Sequence, residues 1–288
     1  MPGIPVFIKT TAAEMSHLNA CQQFLQWALP RLRLRPEGYR KVRRQVCRKI
    51  QARIAELNLS GYEAYRRYLE SHPAEWQELD KLSRITISRF FRDYQSWEML
   101  AGEILPLQAK HAGAEKRPVR CWSAGCASGE EPYSLALLWR YHFESEYPGQ
   151  SIEIIATDID GHMLQRASLA CYPGGNVRDV PKHLLAQYFR KEDGLFCLDQ
   201  KIKNMVTFQQ QDIRIAMPDG PFDIVFCKNL VAMYFAKGNA LDCFREITER
   251  LVNGGFLLTG NHEPFPHEDL QHMTVFNRGL NIFRKKSP

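Results

Sequence analysis

The sequence predicts an α/β fold in which a mostly parallel sheet is covered by helices and follows a helical N-terminal region. Two observations support this prediction. Apolar residues recur at three- and four-residue spacing through most of residues 15–100, which is typical of amphipathic helices. From Val119 onward, short β-prone runs alternate with helical patterns, which is typical of a parallel sheet with helices on both faces.

The N-terminal region is predicted to be all helical. Its clearest helix places apolar residues four positions apart, at Val42, Val46, Ile50 and Ile54. The predicted division of the chain is a helical domain over residues 1–100, a connecting helix and loop over 101–117, and an α/β domain over 118–288.

The last segment of the helical region has an unusual pattern between Arg84 and Asp93. Two adjacent phenylalanines, Phe90 and Phe91, can anchor the segment in a core while Arg92 points elsewhere. Arginine offers a planar, two-pronged donor that matches a carboxylate, so Arg92 is a candidate for binding the carboxylate of a methionine-like ligand. The alternative is a core-facing helix end with exposed arginines.

The stretch from Val119 to Ser134 combines a short strand, a turn of small residues and the start of a helix. Small residues at 123–129 allow the backbone to approach a ligand closely. Glu130 and Glu131 stand at the helix start, where two carboxylates repel a pyrophosphate and attract a cation. A cationic nucleoside without phosphate therefore fits this turn, and S-adenosylmethionine is the common one. The alternative is a structural turn whose glutamates only complement the helix dipole.

An acidic residue follows the next predicted strand, which covers residues 152–157. The tip of this strand is where α/β nucleotide sites bind ribose hydroxyls, so Asp158 is the predicted ribose ligand. Asp160 is instead predicted to cap the helix that begins near Gly161.

The remaining patterns complete the predicted sheet. The strand over residues 206–210 leads to Asp212, which we place near the adenine edge of the ligand. The irregular region at about 172–206 is predicted to be a small insertion. Further elements are a strand over 222–227, a helix over 239–251, a turn at Gly254–Gly255, a strand over 256–259 and a closing hairpin over 274–283.

Composition is ordinary for a globular protein, with 44% hydrophobic and 24% charged residues. No apolar run approaches the roughly 20 residues needed to span a bilayer, and the N-terminus lacks a signal-peptide core, so a cytoplasmic protein without membrane insertion is expected. Eight cysteines form no C-x-x-C pair and nine histidines form no metal-binding pattern. We therefore expect reduced, buried thiols and no metal.

Basic residues are concentrated between Arg31 and Arg53, although the formal net charge of the whole chain is only +6. One interpretation is a solvated helix face. The other is a docking surface for an acidic partner, either an acidic helix or nucleic acid. Aromatic residues do not alternate with these charges, so nucleic acid is the less favoured partner.

Four blocks of sequence occur together: Thr86-Ile-Ser-Arg-Phe-Phe-Arg92, residues 122–134 with Gly-Glu-Glu-Pro-Tyr-Ser, residues 156–160 and residues 222–229. They resemble the CheR family, S-adenosylmethionine-dependent methyltransferases that esterify glutamates of bacterial chemotaxis receptors. The resemblance covers nearly the whole chain. It implies a class I, Rossmann-like methyltransferase fold with a seven-stranded, mostly parallel sheet, an N-terminal all-α domain and a small β-subdomain insertion.

The resemblance also implies a set of site residues. Arg92 and Tyr234 are the implied catalytic residues, with Arg92 fixing the cofactor and Tyr234 lining the methyl-transfer channel. The implied cofactor contacts are Thr86, Ser88, Arg92, Ala124, Gly125, Glu131, Asp158, Asp212, Ile213, Asn229 and Leu230.

The chain departs from the family pattern in several places. Lys228 stands where the family usually has arginine, and Tyr234 comes one residue later than usual. Thr86 and Asp212 stand where asparagine is frequent. The insertion is also short, which weakens an expectation that it captures a receptor tail peptide.

The implied reaction is methyl transfer to glutamate side chains of an acidic protein, giving a methyl ester and S-adenosylhomocysteine. A glutamate has a pKa near ~4.3 and is already ionised at neutral pH, so no general base is required. The acceptor is expected to be a chemoreceptor cytoplasmic helix that docks on the basic helix at residues 40–53, and a monomer is expected. The alternatives are a different acceptor, either a small acid or RNA, and a cofactor-binding module without turnover.

Overall fold

The structure is a computed structural model that describes residues 12–261, 263–266 and 269–287. The chain divides into two compact units between Ile85 and Thr86. The sequence placed this boundary at residue 100, so residues 86–100 belong to the second unit instead of the first.

The first unit is all helical, as predicted. Two short 3₁₀ turns, Leu29–Leu32 and Pro36–Tyr39, separate its first two helices. The α-helices are α1 Ala12–Ala28, α2 Arg43–Glu56, α3 Tyr62–Ser71 and α4 Glu75–Ser83.

Helix packing in the first unit depends on aromatic side chains and one buried carboxylate. Phe24 stacks on Tyr65 with ring centroids 5.5 Å apart. Glu75 is only 5% exposed, and its carboxylate accepts hydrogen bonds from Arg53 Nε at 2.9 Å, Arg53 Nη2 at 2.8 Å and Tyr65 Oη at 2.8 Å. A buried carboxylate is tolerated because a cation and a hydroxyl both donate to it.

The described residues of the second unit form ten strands and ten α-helices, several of them a single turn, together with π-helical segments at Leu100–Ile104 and Trp139–Phe143. The strands are β1 Val119–Ala124, β2 Ile152–Asp158, β3 Cys171–Tyr172, β4 Phe189–Glu192, β5 Leu195–Leu198, β6 Val206–Gln210, β7 Phe222–Cys227, β8 Leu251–Thr259, β9 Met273–Asn277 and β10 Ile282–Lys285. The helices are α5 Tyr94–Met99, α6 Leu105–Ala114, α7 Glu130–Leu138, α8 Glu144–Glu146, α9 Gly161–Leu169, α10 Gly174–Val177, α11 Lys182–Tyr188, α12 Gln200–Lys203, α13 Val231–Tyr234 and α14 Lys237–Glu249.

Seven strands form the main sheet, in the order β6-β2-β1-β7-β8-β10-β9. The first five are parallel, and β10 is antiparallel to both of its neighbours. From β1, the chain adds β2 and then β6 on one side of the sheet. It then returns to the other side of β1, where β7 is the first strand of the second half of the sheet. This reversal between β1 and β7 opens a crevice at the carboxyl ends of the strands, where ligands of open α/β sheets bind.

Residues 86–114 join the core of this sheet through buried aromatic and aliphatic side chains. Phe90, Phe91 and Trp97 are buried in the same cluster as the strand residues. Trp97 stacks on Phe226 of β7 with ring centroids 5.7 Å apart. The segment before α5 is therefore held against the sheet, which explains why the division falls before Thr86.

The predicted small β-subdomain lies between β3 and β6. Its antiparallel sheet has the order β3-β5-β4, and α10, α11 and α12 surround it. Tyr172 of β3 donates a hydrogen bond from its hydroxyl to the carbonyl of Ser128 at 2.7 Å, which joins this subdomain to the turn after β1.

The expectation of reduced thiols was wrong for four of the eight cysteines. Disulfides join Cys21 to Cys47 and Cys171 to Cys197, and each pair is 26 residues apart in the sequence. The first pair links α1 to α2, and the second links the paired positions of β3 and β5. Such pairs are created by tertiary packing and leave no local spacing signal. The free cysteines are Cys121, Cys126, Cys227 and Cys243, all buried.

Candidate cofactor site

Most of the residues predicted to bind the cofactor lie along one edge of the sheet. Ala124 and Gly125 end β1, and Asp158 ends β2. Asp212 and Ile213 follow β6, whereas Asn229 and Leu230 follow β7. Because these four strands are parallel neighbours, their carboxyl ends share one edge and the structure brings the four positions together.

The turn after β1 is closed by backbone contacts with β2. The amides of Gly125 and Cys126 both donate to the carbonyl of Thr157, at 2.8 and 3.0 Å. Gly125 has φ = 71°, in the left-handed region that favours glycine. A Cβ at residue 125 would lie 2.7 Å from Leu230 Cδ2, so the bare backbone is required on steric grounds as well.

Asp158 is fixed by the turn that it faces. Its Oδ2 accepts from the amide of Ala127 and its Oδ1 from the amide of Asp160, both at 2.8 Å. These two hydrogen bonds fix the orientation of the carboxylate toward the turn. The predicted capping role of Asp160 is confirmed, since its side chain accepts from the amides of His162 and Met163.

The two glutamates at the start of α7 occupy different environments. Glu130 is fully buried and accepts from Ser128 Oγ at 2.9 Å and from Asn176 Nδ2 at 2.6 Å. Glu131 is only partly buried by its neighbours and accepts from Ser123 Oγ at 2.8 Å. Glu130 is thus committed to internal hydrogen bonds, and Glu131 is the carboxylate of this pair that can meet a ligand.

Opposite charges surround Glu131. Burial raises the pKa of Glu131, and the nearby cation of Lys228 opposes this shift. Burial lowers the pKa of Lys228, and the Glu131 carboxylate opposes that shift in turn. The Lys228 ammonium also lies 5.7 Å from the centroid of the Trp97 ring. The charged form of Glu131 is therefore favoured by a cation, and a bound ammonium group would add to this stabilisation.

The segment before α5 holds Thr86, Ser88 and Arg92, all partly exposed. Its backbone is anchored by two hydrogen bonds, from the Phe90 amide to the Asn176 carbonyl at 3.0 Å and from the Phe91 amide to Ser134 Oγ at 2.9 Å. The Arg92 guanidinium donates from Nη1 to the carbonyl of Ile87 at 3.4 Å, and its positive charge slightly opposes the rise in the pKa of Glu131 that burial causes.

Asp212 is bound by a neighbour that sequence reasoning did not single out. The Arg214 guanidinium donates from Nε to Asp212 Oδ1 at 2.9 Å and from Nη2 to Oδ2 at 2.8 Å. The carbonyl of Ile213 accepts a weak bond from Cys243 Sγ at 3.9 Å. The carboxylate of Asp212 thus has a fixed orientation at the end of β6.

The loop after β7 carries Asn229, Leu230 and Tyr234. Asn229 has φ = 54°, and its amide donates to Glu263 Oε2 at 2.8 Å. Tyr234 ends the single helical turn α13, and burial raises the pKa of its hydroxyl. Glu263 was missed by sequence reasoning, as were Asn176 and Arg214. The only available signal was an acidic residue shortly after the buried strand β8.

The described part of the chain contains neither a membrane-spanning helix nor a metal-binding cluster. Among residues 12–261, 263–266 and 269–287, no helix is both long and apolar enough to cross a bilayer. Within the same ranges, no cluster of three or more His, Cys, Asp or Glu side chains is arranged to hold a metal ion.

Comparison with known proteins agrees with this geometry. The model of the CheR methyltransferase, SAM binding domain matches residues 86–279, and that of the CheR methyltransferase, all-alpha domain matches residues 41–81. The chain is 31% identical to chemotaxis protein methyltransferase 2 of Vibrio cholerae, over 78% of each chain. It is 30% identical to the chemotaxis protein methyltransferase of Escherichia coli K12, again over 78% of each chain. For the enzyme of the same name from Borreliella burgdorferi, identity is 29% over 74% of this chain and 79% of that one.

The resemblance inferred from four blocks of sequence is therefore confirmed, together with the predicted fold and cofactor. The main sheet has seven strands, and only β10 runs antiparallel to its neighbours. Together with the all-α unit that precedes it in the sequence, this sheet gives the architecture of a class I methyltransferase of this family. The acidic side chains at the start of α7 and at the end of β2 fit a cationic nucleoside better than a phosphate. The chain belongs to the CheR family of S-adenosylmethionine-dependent methyltransferases.

Proposed function

We propose that this chain transfers a methyl group to glutamate side chains of a chemoreceptor cytoplasmic helix, giving a glutamate methyl ester and S-adenosylhomocysteine. The observation that carries the proposal is the pair of carboxylates, Glu131 and Asp158, on either side of the tight turn after β1. A carboxylate at the ribose position and another at the amino-acid position match the two polar ends of S-adenosylmethionine, with no group arranged for a phosphate.

The proposed cofactor contacts divide according to the part of the ligand. Asp158 accepts from the ribose hydroxyls, and Asp212 with Ile213 lies at the adenine edge. Glu131 accepts from the ammonium group, whereas Arg92 donates to the carboxylate with support from Thr86 and Ser88. Ala124, Gly125, Asn229 and Leu230 supply the close backbone and apolar surface.

The chemistry supplied by the cofactor is an electrophilic methyl group on a sulfonium. A lone pair of the acceptor carboxylate forms the new O–CH₃ bond, the S–CH₃ bonding pair returns to sulfur, and no proton moves. The protein therefore contributes position and a dry environment. Arg92 and Glu131 hold the amino-acid end in place, and Tyr234 lines the side of the channel through which the acceptor carboxylate enters.

We propose that the acceptor docks on the basic face of the first unit. Arg40, Lys41, Arg44 and Arg48 are exposed on or just before α2. Two other residues of the predicted basic helix have internal roles: Lys49 donates to the Arg84 carbonyl at 2.9 Å, and Arg53 binds Glu75. The exposed cations complement an acidic helix, and long-range attraction of this kind accelerates encounter more than it adds affinity.

We also propose that the protein acts in the cytoplasm as a monomer, because a chemoreceptor offers its methylation helices there. Sedimentation of the purified chain tests the oligomeric state.

Calorimetric titration with S-adenosylhomocysteine tests the cofactor site. Loss of the charged acceptor in Asp158→Ala removes hydrogen bonds worth about 1.5–3 kcal/mol, so affinity should fall by about 10- to 150-fold. Asp199→Ala is the matched control, because Asp199 also accepts from a backbone amide but lies at the start of α12. Equal affinity in wild type and Asp158→Ala would contradict the proposed ribose contact.

Methyl transfer tests the acceptor. Wild type is incubated with labelled S-adenosylmethionine and a receptor cytoplasmic fragment, alongside a fragment whose methylation-site glutamates are replaced by glutamine. Base-labile label should appear only in the first fragment, because an amide oxygen is neither anionic nor able to form the ester. Label in both fragments, or in neither, would contradict glutamate O-methylation.

A further inference from the structure

The loop after β7 has a backbone that is not stable by itself. Asn229 adopts a left-handed conformation with φ = 54°, and Leu230 follows with φ = −129° and ψ = −85°. Non-glycine residues in such regions persist only when surrounding contacts hold them. The helical turn that follows, α13, has four residues, too few to satisfy its first amides internally. Some external group must therefore hold this loop.

Glu263 provides that group. Its side chain is 4% exposed, and its Oε2 accepts from the amide of Asn229 at 2.8 Å and from the amide of Gly260. The amides of Leu230 and Met233 also favour its ionised form and so oppose the increase in pKa that burial causes. One carboxylate oxygen thus accepts from a backbone amide of the loop and from an amide just after β8, and its charge strengthens both hydrogen bonds.

Glu263 is itself held on the opposite side. Asn281, just before β10, donates from Nδ2 to the carbonyl of Gly260 at 2.7 Å and to the carbonyl of Glu263 at 2.8 Å. Gly260 leaves room for the carboxylate, since a Cβ there would lie 2.7 Å from Glu263 Oε2 and 3.1 Å from Asn229 Oδ1. The carboxylate therefore connects the loop to the rigid ends of β8 and β10.

We propose that Glu263 is a positioning residue of the methyltransferase, which holds the loop of Asn229, Leu230 and Tyr234 in its cofactor-facing conformation. This inference rests on the cofactor contacts proposed above for Asn229 and Leu230. Glu263 does not touch the ligand; it acts through the backbone of the loop. Neutralising it weakens the acceptor shared by the amides of Asn229 and Gly260, and the loop then samples other conformations while the strands stay intact.

The test uses the full chain with Glu263→Gln and Glu263→Asp. Amide exchange is followed by mass spectrometry in a peptide covering residues 228–235 and, as an internal reference, in one covering β2. In Glu263→Gln, amide exchange in residues 228–235 should accelerate by about tenfold or more, while exchange in β2 stays unchanged. The reason is that opening the loop no longer requires breaking a hydrogen bond to a charged carboxylate. Glu263→Asp keeps the charge and should recover part of the protection.

Affinity for S-adenosylhomocysteine is the second measurement. It should weaken by about tenfold in Glu263→Gln and recover partly in Glu263→Asp. Glu246→Gln is the matched control, since Glu246 lies on the exposed side of α14 and pairs only with Arg250 at 3.5 Å. This control should leave both exchange and affinity at wild-type values.

The outcomes separate this inference from the proposed function. Wild-type exchange in residues 228–235 of a folded Glu263→Gln protein overturns the positioning role, and so does acceleration that extends equally to β2. If wild type binds no S-adenosylhomocysteine, the proposed cofactor site is refuted. The amide-exchange rates of residues 228–235 still decide whether Glu263 holds the loop. If Glu263→Gln does not fold, Asn281→Ala takes its place: faster exchange in 228–235 supports the role, and unchanged exchange overturns it.

Discussion

Leu230 packs against the backbone of Gly125, so closely that a Cβ at residue 125 would lie 2.7 Å from Leu230 Cδ2. The contact joins the turn after β1 to the loop after β7, across the point where the sheet reverses direction. Both halves of the proposed cofactor site therefore depend on one glycine.

Gly125→Ala should weaken S-adenosylhomocysteine binding by about tenfold or more. The new methyl group must displace Leu230, and an L-residue at φ = 71° adds about 1–3 kcal/mol of backbone strain. Calorimetry on the folded variant measures the effect. Gly238→Ala is the control, because a Cβ at Gly238 meets nothing within 4 Å. Wild-type affinity in Gly125→Ala would show that the turn adapts freely.

Glu131→Gln should weaken S-adenosylhomocysteine binding by about tenfold at neutral pH, because a charge-assisted hydrogen bond to the ammonium group is lost. Burial raises the pKa of Glu131 above its usual value, with Lys228, Arg92, Ser123 and Asp93 also acting on it. Binding to wild type should therefore weaken as the pH falls through this raised pKa, and Glu131→Gln should lack that part of the pH dependence. Identical pH profiles for the two proteins would rule out Glu131 as the ammonium acceptor.

Glu75→Gln should destabilise the helical unit by about 2–3 kcal/mol. This is less than the ~3–5 kcal/mol seen when a fully buried ion pair is broken, since the Arg53 side chain is 29% exposed. The Arg53 guanidinium lowers the pKa of Glu75, so its contribution is present above about pH 4.5 and is lost as the pH falls through the lower folded-state pKa.

Urea unfolding of the full chain, followed by circular dichroism at neutral and acidic pH, measures this difference. The difference in free energy of unfolding between wild type and Glu75→Gln should become smaller at acidic pH. Glu78→Gln is the control, because its pair with Lys81 is largely exposed and should contribute less than about 1 kcal/mol. A difference in free energy of unfolding that increases at acidic pH would contradict the expected link between ionisation of Glu75 and stability.

Arg44→Glu combined with Arg48→Glu should raise KM for a receptor fragment and leave S-adenosylhomocysteine affinity unchanged. Two cations on the exposed side of α2 become anions that repel an acidic helix, and added salt should reduce the difference. Steady-state methylation at low and moderate salt measures the effect. Lys182→Glu combined with Lys201→Glu, at exposed positions of α11 and α12, serves as the charge-matched control, and an equal increase in KM there would show that net charge alone matters.

Sequence alone located the strands that end at the site with high accuracy. Residues 206–210 and 222–227 were predicted with the bounds that the structure has, because each is an apolar run closed by polar or turn residues. β8 instead begins at Leu251, five positions before the predicted start at Phe256. Gly254–Gly255 was interpreted as a turn, whereas the strand continues through it with an irregular register against β7.

Acidic side chains at strand ends were also predictable, since the carboxyl edge of a parallel sheet is a known ligand position. Asp158 belongs to this class, whereas Glu131 lies at the start of α7. Arg214 is only two residues from Asp212 and was overlooked. The other supporting partners were not predictable, because Glu263 and Asn176 reach the site through tertiary contacts. The two disulfides were missed for the same reason.

The Asn176 side chain has a consequence for anyone who wishes to redirect the enzyme by transplanting the small β-subdomain from a relative. Its Nδ2 donates to the buried carboxylate of Glu130 at 2.6 Å and to the carbonyl of Ser88 at 3.4 Å. A graft that removed this side-chain amide would leave Glu130 without one of its donors and would break the side-chain hydrogen bond to the segment before α5. Chimaeras should therefore exchange the β4–β5 hairpin, residues 189–198, and keep the recipient's own residues 172–180.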